Sequence, residues 1–295
     1  MNLFVASLGF GLVTASILAV AAVGFTLQFG VTNILNLAFG DVMTASAFIG
    51  YIATTNGAGI WLAVALCGVF GAVFSMLLNR LLYTPFVRHG TKLFGMIVVT
   101  IAVSLIIQNA LQAIWGPSFF SLKFSPGHSY HLGSMVFTTS QFGVMAIAVA
   151  AMVGVYSLLR YTKLGKAMRA TACDPVLARS CGIATDRVID VGWLLSGALC
   201  GIAGISLAMN VTSFTSTTGG TFLIAIVAAA VLGGVGQAYG AMLGALTIGL
   251  SSEVAAGLIA PSYKQVVAFA VLVIVLLIRP QGILSEVAEE KEVVA

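Results

Sequence analysis

Residues Tyr161 to Arg187 read YTKLGKAMRATACDPVLARSCGIATDR. This run is long, polar and mostly basic, carrying Lys163, Lys166, Arg169, Asp174, Arg179, Asp186 and Arg187. The chain around it is the opposite. Of its 295 residues 60% are hydrophobic and only 7% charged, and the mean hydropathy is +1.10. Apolar runs of about 20 residues recur, long enough to cross roughly 30 Å of hydrocarbon as helices that bond their own backbone. The sequence therefore predicts an all-α polytopic membrane protein; a barrel would show short alternating strands. A membrane chain that sets this much polar sequence between two apolar spans offers a surface to a water-soluble partner.

Seven spans are predicted at about 4–27, 60–82, 93–115, 141–160, 188–209, 238–258 and 263–279. Two more apolar segments are short or interrupted: Val31 to Tyr51, and Phe222 to Val235, which ends in the Gly-rich VLGGVGQAYG. The prediction is about eight or nine membrane segments, or seven if both of these re-enter. Residues 1–285 form one membrane domain and 286–295 a short charged tail. Met1 to Val23 reads as the first span, because no basic residue precedes its apolar run as a signal peptide requires.

Eleven of the 13 basic residues fall on one side of this topology, in a loop holding Arg80, Arg88 and Lys92, in 160–187, and after the last span. Only Lys123 and Lys264 fall on the other. The positive-inside rule then places 160–187 and the C-terminus in the cytoplasm and the N-terminus outside. The net charge of +4 is a topology signal and does not point to nucleic acid. The external loop 116–140 is punctuated by Pro117, Pro126, Gly127 and Gly133, and YHLGSMVFT within it predicts a short hairpin. His128 and His131 lie there without enough companions for tetrahedral zinc. Cys67 and Cys200 lie in spans and Cys173 and Cys181 in the cytoplasmic loop, so no disulfide framework is expected.

Within 160–187, Asp174-Pro175 has the form of a helix N-cap followed by proline at the first helical position. Gly182 stands where a glycine would end the helix. A two-turn helix over Pro175–Cys181 follows, after a helical piece around Leu164 to Thr171. Val176 and Leu177 give the short helix an apolar face and Arg179 gives it a charge, while Lys166 and Arg169 precede it in the same candidate coupling segment. Such a helix suits a groove on a partner; lipid phosphates are the plainer alternative for the charges.

In Val31 to Tyr51, Asn33, Asn36, Gly40 and Asp41 sit in an apolar setting. Intramembrane carboxylates are costly, and interrupted helices often hold transported solute, so these are candidate pathway residues. Asp41 capping a helix N-terminus is the structural alternative. Glu253 is the other acid expected in a span, facing a polar cavity or lying near the outer surface beside Lys264. Gly233, Gly234 and Gly236, with Gly240 and Gly244, allow close helix packing or a bend lining a pathway. The chain has no phosphate-binding loop, no H-E-x-x-H and no Ser–His pairing, so it is neither an ATPase nor a hydrolase by any motif.

Four patches together resemble the permease subunits of branched-chain amino acid ABC importers. They are LNLAFGD at 35–41, LGKAMRATACDPVLARSCGIATDRV at 164–188, AAAVLGGVGQAYGAMLGAL at 228–246, and YKQVVAFAVLVIVLLIRPQGIL at 263–284. The resemblance implies a bacterial inner-membrane permease with no chemistry of its own. It also implies a second permease, alike or different, an extracytoplasmic solute-binding protein, and two cytoplasmic ATPases that carry the ATP and Mg. The ATPase-contacting segment of the family falls on Arg169, Asp174 and Gly182. The family's Asn-x-Ala-His-Gly-Glu pattern matches Asn36, Ala38, Gly40 and Asp41, with Phe39 in place of the usual His and Asp in place of Glu. Importers of urea and short amides use related permeases. The competing reading is a gradient-coupled secondary transporter or channel for a small solute, with Asp41 and Glu253 titrating.

Overall fold

The computed structural model describes residues 2–123, 128–132, 135–211, 213–234, 236–258, 260 and 263–278. The tail 286–295, Arg279, Lys291, Val235, Pro126, Gly127 and Gly133 lie outside the described residues. Among the described residues twelve α-helices run in the order α1 (Asn2–Thr32), α2 (Phe39–Thr55), α3 (Ile60–Leu78), α4 (Thr84–Arg88), α5 (Leu93–Trp115), α6 (Thr139–Tyr161), α7 (Lys163–Cys173), α8 (Pro175–Ser180), α9 (Thr185–Asn210), α10 (Thr218–Gly233), α11 (Ala238–Leu258) and α12 (Lys264–Ile278). A π-helical turn, Asn79–Tyr83, joins α3 to α4. Between α5 and α6 lies the expected hairpin, β1 (Ser129–Leu132) paired antiparallel with β2 (Met135–Thr138). The molecule is an all-α polytopic membrane protein, and among the described residues this ribbon is its one sheet.

Among the described residues, six helical stretches are long and apolar enough to cross a membrane: α1, α3 through α4, α5, α6, α9 and α11. The helices α2, α10 and α12 have 17, 16 and 15 residues. At about 1.5 Å per residue, neither α2 nor α10 matches a 30 Å core unaided. Two boundaries differ from the sequence reading. Arg80 and Arg88 belong to the continuous helix 60–88 and not to a loop. The interruption in Val31 to Tyr51 is confined to 33–38, because α1 extends to Thr32 and regular helix resumes at Phe39.

The centre of the bundle is α1. In its most apolar window 72% of residues are buried, against 17% for α6. Small residues bring its neighbours close, as expected where apolar lipid gives no hydrophobic drive for helix association. A Cβ added at Gly249 of α11 would come within 2.5 Å of the Ala15 backbone, and one at Gly257 would strike Ser7. Since 7 faces 257, 15 faces 249 and 30 faces 236, α1 and α11 are antiparallel. The same test pairs Gly71 with Gly197 and Cys67 with Gly201, so α3 and α9 are antiparallel too. Exposed Leu62, Leu66, Val69, Val73 and Leu77 line α3 at helical spacing, an apolar face suited to lipid.

Candidate functional site

After Thr162, the polar segment folds as two short helices held against the bundle. The Thr162 hydroxyl accepts from the Gly165 amide at 3.0 Å and caps α7. Gly165 presses on the last turn of α6, where a Cβ would sit 2.3 Å from the Leu159 carbonyl oxygen. The Arg169 guanidinium donates to that same carbonyl. Met168 and Thr171 are buried beneath α7.

Asp174 ends α7 and caps α8: its Oδ1 accepts from the amides of Val176 at 2.8 Å and Leu177 at 2.9 Å. Pro175 takes the first helical position, where its missing N–H costs nothing. At the far end, the Gly182 amide donates to the Arg179 carbonyl and Ile183 to Ala178, with Gly182 at φ +84°. These paired bonds are the Schellman closure that favours glycine. Arg179 donates to Thr185 Oγ1 at 2.9 Å and to Asp186 at 3.1 Å, fastening α8 to the start of α9. Lys166, Arg169, Asp174, Pro175 and Arg179 are all exposed. So are Val176 (75%) and Leu177 (62%), which leaves α8 with an apolar face turned away from the bundle.

The candidate pathway residues occupy three separate places. Asn33 sits exposed at the end of α1 with φ +54° and turns the chain back along the bundle. Asn36 is buried and organises the return. Its Oδ1 accepts from the Ala38 amide and from the Tyr83 hydroxyl, each at 3.1 Å, and its amide donates to Gln28 Oε1 at 3.4 Å. Ser196 donates to the same Gln28 oxygen at 3.2 Å. Tyr83, at the end of the π-turn, is fully buried and stacks on Trp193 at 5.1 Å.

Helix α2 therefore starts inside the bundle, beside Gly24 and Phe25 of α1. That is about 11 Å from the end of α1 at 1.5 Å per residue. Phe39 is buried edge-on against Phe25 at 5.7 Å and reads as core. Asp41 lies in the first turn of α2, 1% exposed, and accepts from Ser104 of α5. The first turn of α10 meets it there. Thr44 Oγ1 accepts from the Gly219 amide at 2.9 Å, and a Cβ on Gly40 would lie 2.3 Å from the Gly219 carbonyl oxygen. Two helix N-termini thus converge beside one buried carboxylate.

Gly233 ends α10, and Gly234 and Gly236 lie between α10 and α11. Gly233 touches the backbone of Gly240, and Gly236 lies against Gly30. Glu253 is at the opposite end, where Lys264 donates to its Oε1 at 2.7 Å and Thr14 at 2.9 Å. Asp190 is a further acid within a predicted span. Arg80 pairs with it at 2.8 Å and Asn79 donates to it at 3.2 Å. Gln28, Tyr83, Ser104 and Ser196 were not singled out as site residues from sequence. Their only signal was a polar atom inside an apolar run. Among the described residues, no three His, Cys, Asp or Glu side chains gather as a metal site.

Interrupted helices meeting inside an apolar bundle, with a polar two-helix unit at one end, define a membrane permease. Residues 7–276 match the family described as branched-chain amino acid transport system, permease component. The high-affinity branched-chain amino acid transport system permease protein LivH of Escherichia coli K12 is 32% identical over 95% of both chains. Its counterpart BraD of Pseudomonas aeruginosa is 31% identical over the same shares. A solved structure titled PsaBC from Streptococcus pneumoniae in complex with Fab covers 92% of this chain and 91% of its own. Its TM-score is 0.51 at 14% identity, a likeness of fold. The chain belongs to the branched-chain amino acid transport permease family.

Proposed function

We propose that this chain is the membrane subunit of an ATP-driven importer that moves a small amino acid, of branched-chain type, across a bacterial inner membrane. The observation that carries the reading is the family match over 7–276 together with near full-length relatives named as branched-chain amino acid permeases. ATP and Mg belong to separate ATPase subunits, an extracytoplasmic binding protein delivers the solute, and a second permease completes the path.

The end of the bundle carrying α7 and α8 faces the cytoplasm. Arg80, Lys92 and the basic residues of 160–187 collect there, while Lys123 and Lys264 lie toward the other end. Because α1 is antiparallel to α9, the N-terminus then lies outside. Lys166, Arg169, Asp174, Pro175, Arg179 and Gly182 form or present the surface that meets the ATPase. Asn33, Asn36, Gly40, Asp41 and the glycines at 233, 234 and 236 border or shape the elements that rearrange as solute passes, and Glu253 serves the external end. Movement of the ATPase reaches the bundle through Arg169 and Gly165, which tie α7 to α6, and through Arg179, which ties α8 to α9.

Uptake of labelled leucine into cells tests the reading. The expected result is uptake that stops on ATP depletion and persists when a protonophore collapses the proton gradient with ATP maintained. Uptake that follows the gradient and ignores ATP overturns it in favour of a gradient-coupled carrier.

A further inference from the structure

A cavity of about 380 Å³ opens at the end of the bundle opposite α7 and α8. Thr14, the last turn of α9 around Asn210, the start of α10 at Thr218 and Thr221, and the start of α12 surround it. It lies at the small end of the range for ligand pockets. Glu253 and Lys264 both line it, paired at 2.7 Å. The Glu253 side chain is 12% exposed and that of Lys264 43%, so the acid is held in the wall and the ammonium is the freer partner. Both bonds to the acid, from Thr14 and from Lys264, fall on Oε1. A carboxylate offers roughly four lone-pair sites over its two oxygens, so Glu253 has capacity for a further donor. Leu18, Leu207, Phe222, Ala225 and Ile248 give the rest of the wall an apolar character.

We infer that this cavity is a binding site for the zwitterion of a small aliphatic amino acid on its way into the membrane. The inference deepens the amino acid importer reading and rests on it. The solute's ammonium takes the place of the Lys264 ammonium against Glu253, and its carboxylate accepts from the freed Lys264. The aliphatic side chain lies on the apolar wall. The charge arithmetic selects the ligand class. One fixed negative and one mobile positive group are both satisfied by a dipolar solute. A lone acid draws Lys264 away and leaves Glu253 unpaired in a wall where it is 12% exposed, which is costly, and a lone amine leaves Lys264 without an anion. In the empty site the Glu253–Lys264 pair keeps both charges satisfied.

Thiol labelling tests this directly. Gln265 lines the cavity and is exposed. In intact cells, Gln265→Cys is exposed to a membrane-impermeant anionic methanethiosulfonate, with the parent chain as control. The native Cys67 and Cys200 are buried, and Cys173 and Cys181 lie at the other end of the bundle. Millimolar leucine should slow labelling several-fold, while 3-methylbutylamine, without the carboxylate, and 4-methylpentanoate, without the amine, should not. Adding Glu253→Gln should remove the protection by leucine. Labelling that leucine leaves unchanged, protection that survives Glu253→Gln, or equal protection by either analogue overturns the inference. If Gln265→Cys does not accumulate, Thr221→Cys reads the same cavity. The assay needs no ATP, so its failure is distinct from failure of the importer reading, which shows as loss of ATP-dependent uptake.

Discussion

Single residues carry the tightest constraints in this molecule. A Cβ at Gly219 would sit 1.9 Å from the Gly40 carbonyl oxygen, a clash with backbone that no side-chain shift relieves. Gly219→Val should therefore cost more than the roughly 1–3 kcal/mol usual for overpacking and lower the melting temperature in detergent. Gly59 meets nothing within 4 Å, so Gly59→Ala should cost no more than the roughly 1 kcal/mol of a weakened N-cap to α3 and lower that temperature far less. Equal behaviour of the two variants would contradict the packing. Asp174 is a milder case. Removing its two amide bonds with Asp174→Ala should cost about 1 kcal/mol and speed hydrogen exchange in α8 while α7 stays protected. Asp174 was legible in the sequence because a cap and its helix are neighbours in the chain. Asp190 was not. Its partner Arg80 is 110 residues away, and the sequence reading had set Arg80 in a loop.

At the level of elements, α7 and α8 form a braced unit rather than a free loop. Buried Met168 and Thr171, the Leu159 carbonyl contact and the Arg179–Thr185 bond fix it to α6 and α9. Val176 and Leu177 remain exposed. Arg169→Glu, or deletion of 174–182, should leave the chain in the membrane at near-normal level while ATPase recovery in mild detergent falls at least ten-fold. Undiminished recovery would remove α7 and α8 from the coupling role. The helix over 175–180 was readable from Asp-Pro and Gly182 alone. The place where α2 begins was not. Asn36, Gln28, Tyr83 and Ser196 come from four stretches of chain, and only the fold shows that their bonds turn residues 33–38 back into the bundle. Hydropathy saw only that the segment was interrupted.

For the whole molecule, composition was enough to establish a polytopic helical bundle, since 7% charge leaves too little polar surface for a soluble fold of this size. The number of crossings was less legible. The helices α2 and α10 are short for a full crossing, whereas α12 falls on the span predicted at 263–279. The two-ended distribution of basic residues carries an orientation, and the native thiols can read it. An impermeant maleimide should label Cys173 and Cys181 in inside-out vesicles and spare them in intact cells, while buried Cys67 and Cys200 stay unlabelled in both. The reverse pattern would invert the topology. The central claim is that this bundle works as one subunit beside separate ATPases. Its most direct test is a mild-detergent pull-down of the tagged chain from its native host after crosslinking in intact cells, read by mass spectrometry. The account predicts recovery of ATPase subunits together with a second permease, alike or different. Recovery of this chain without any ATPase would contradict it.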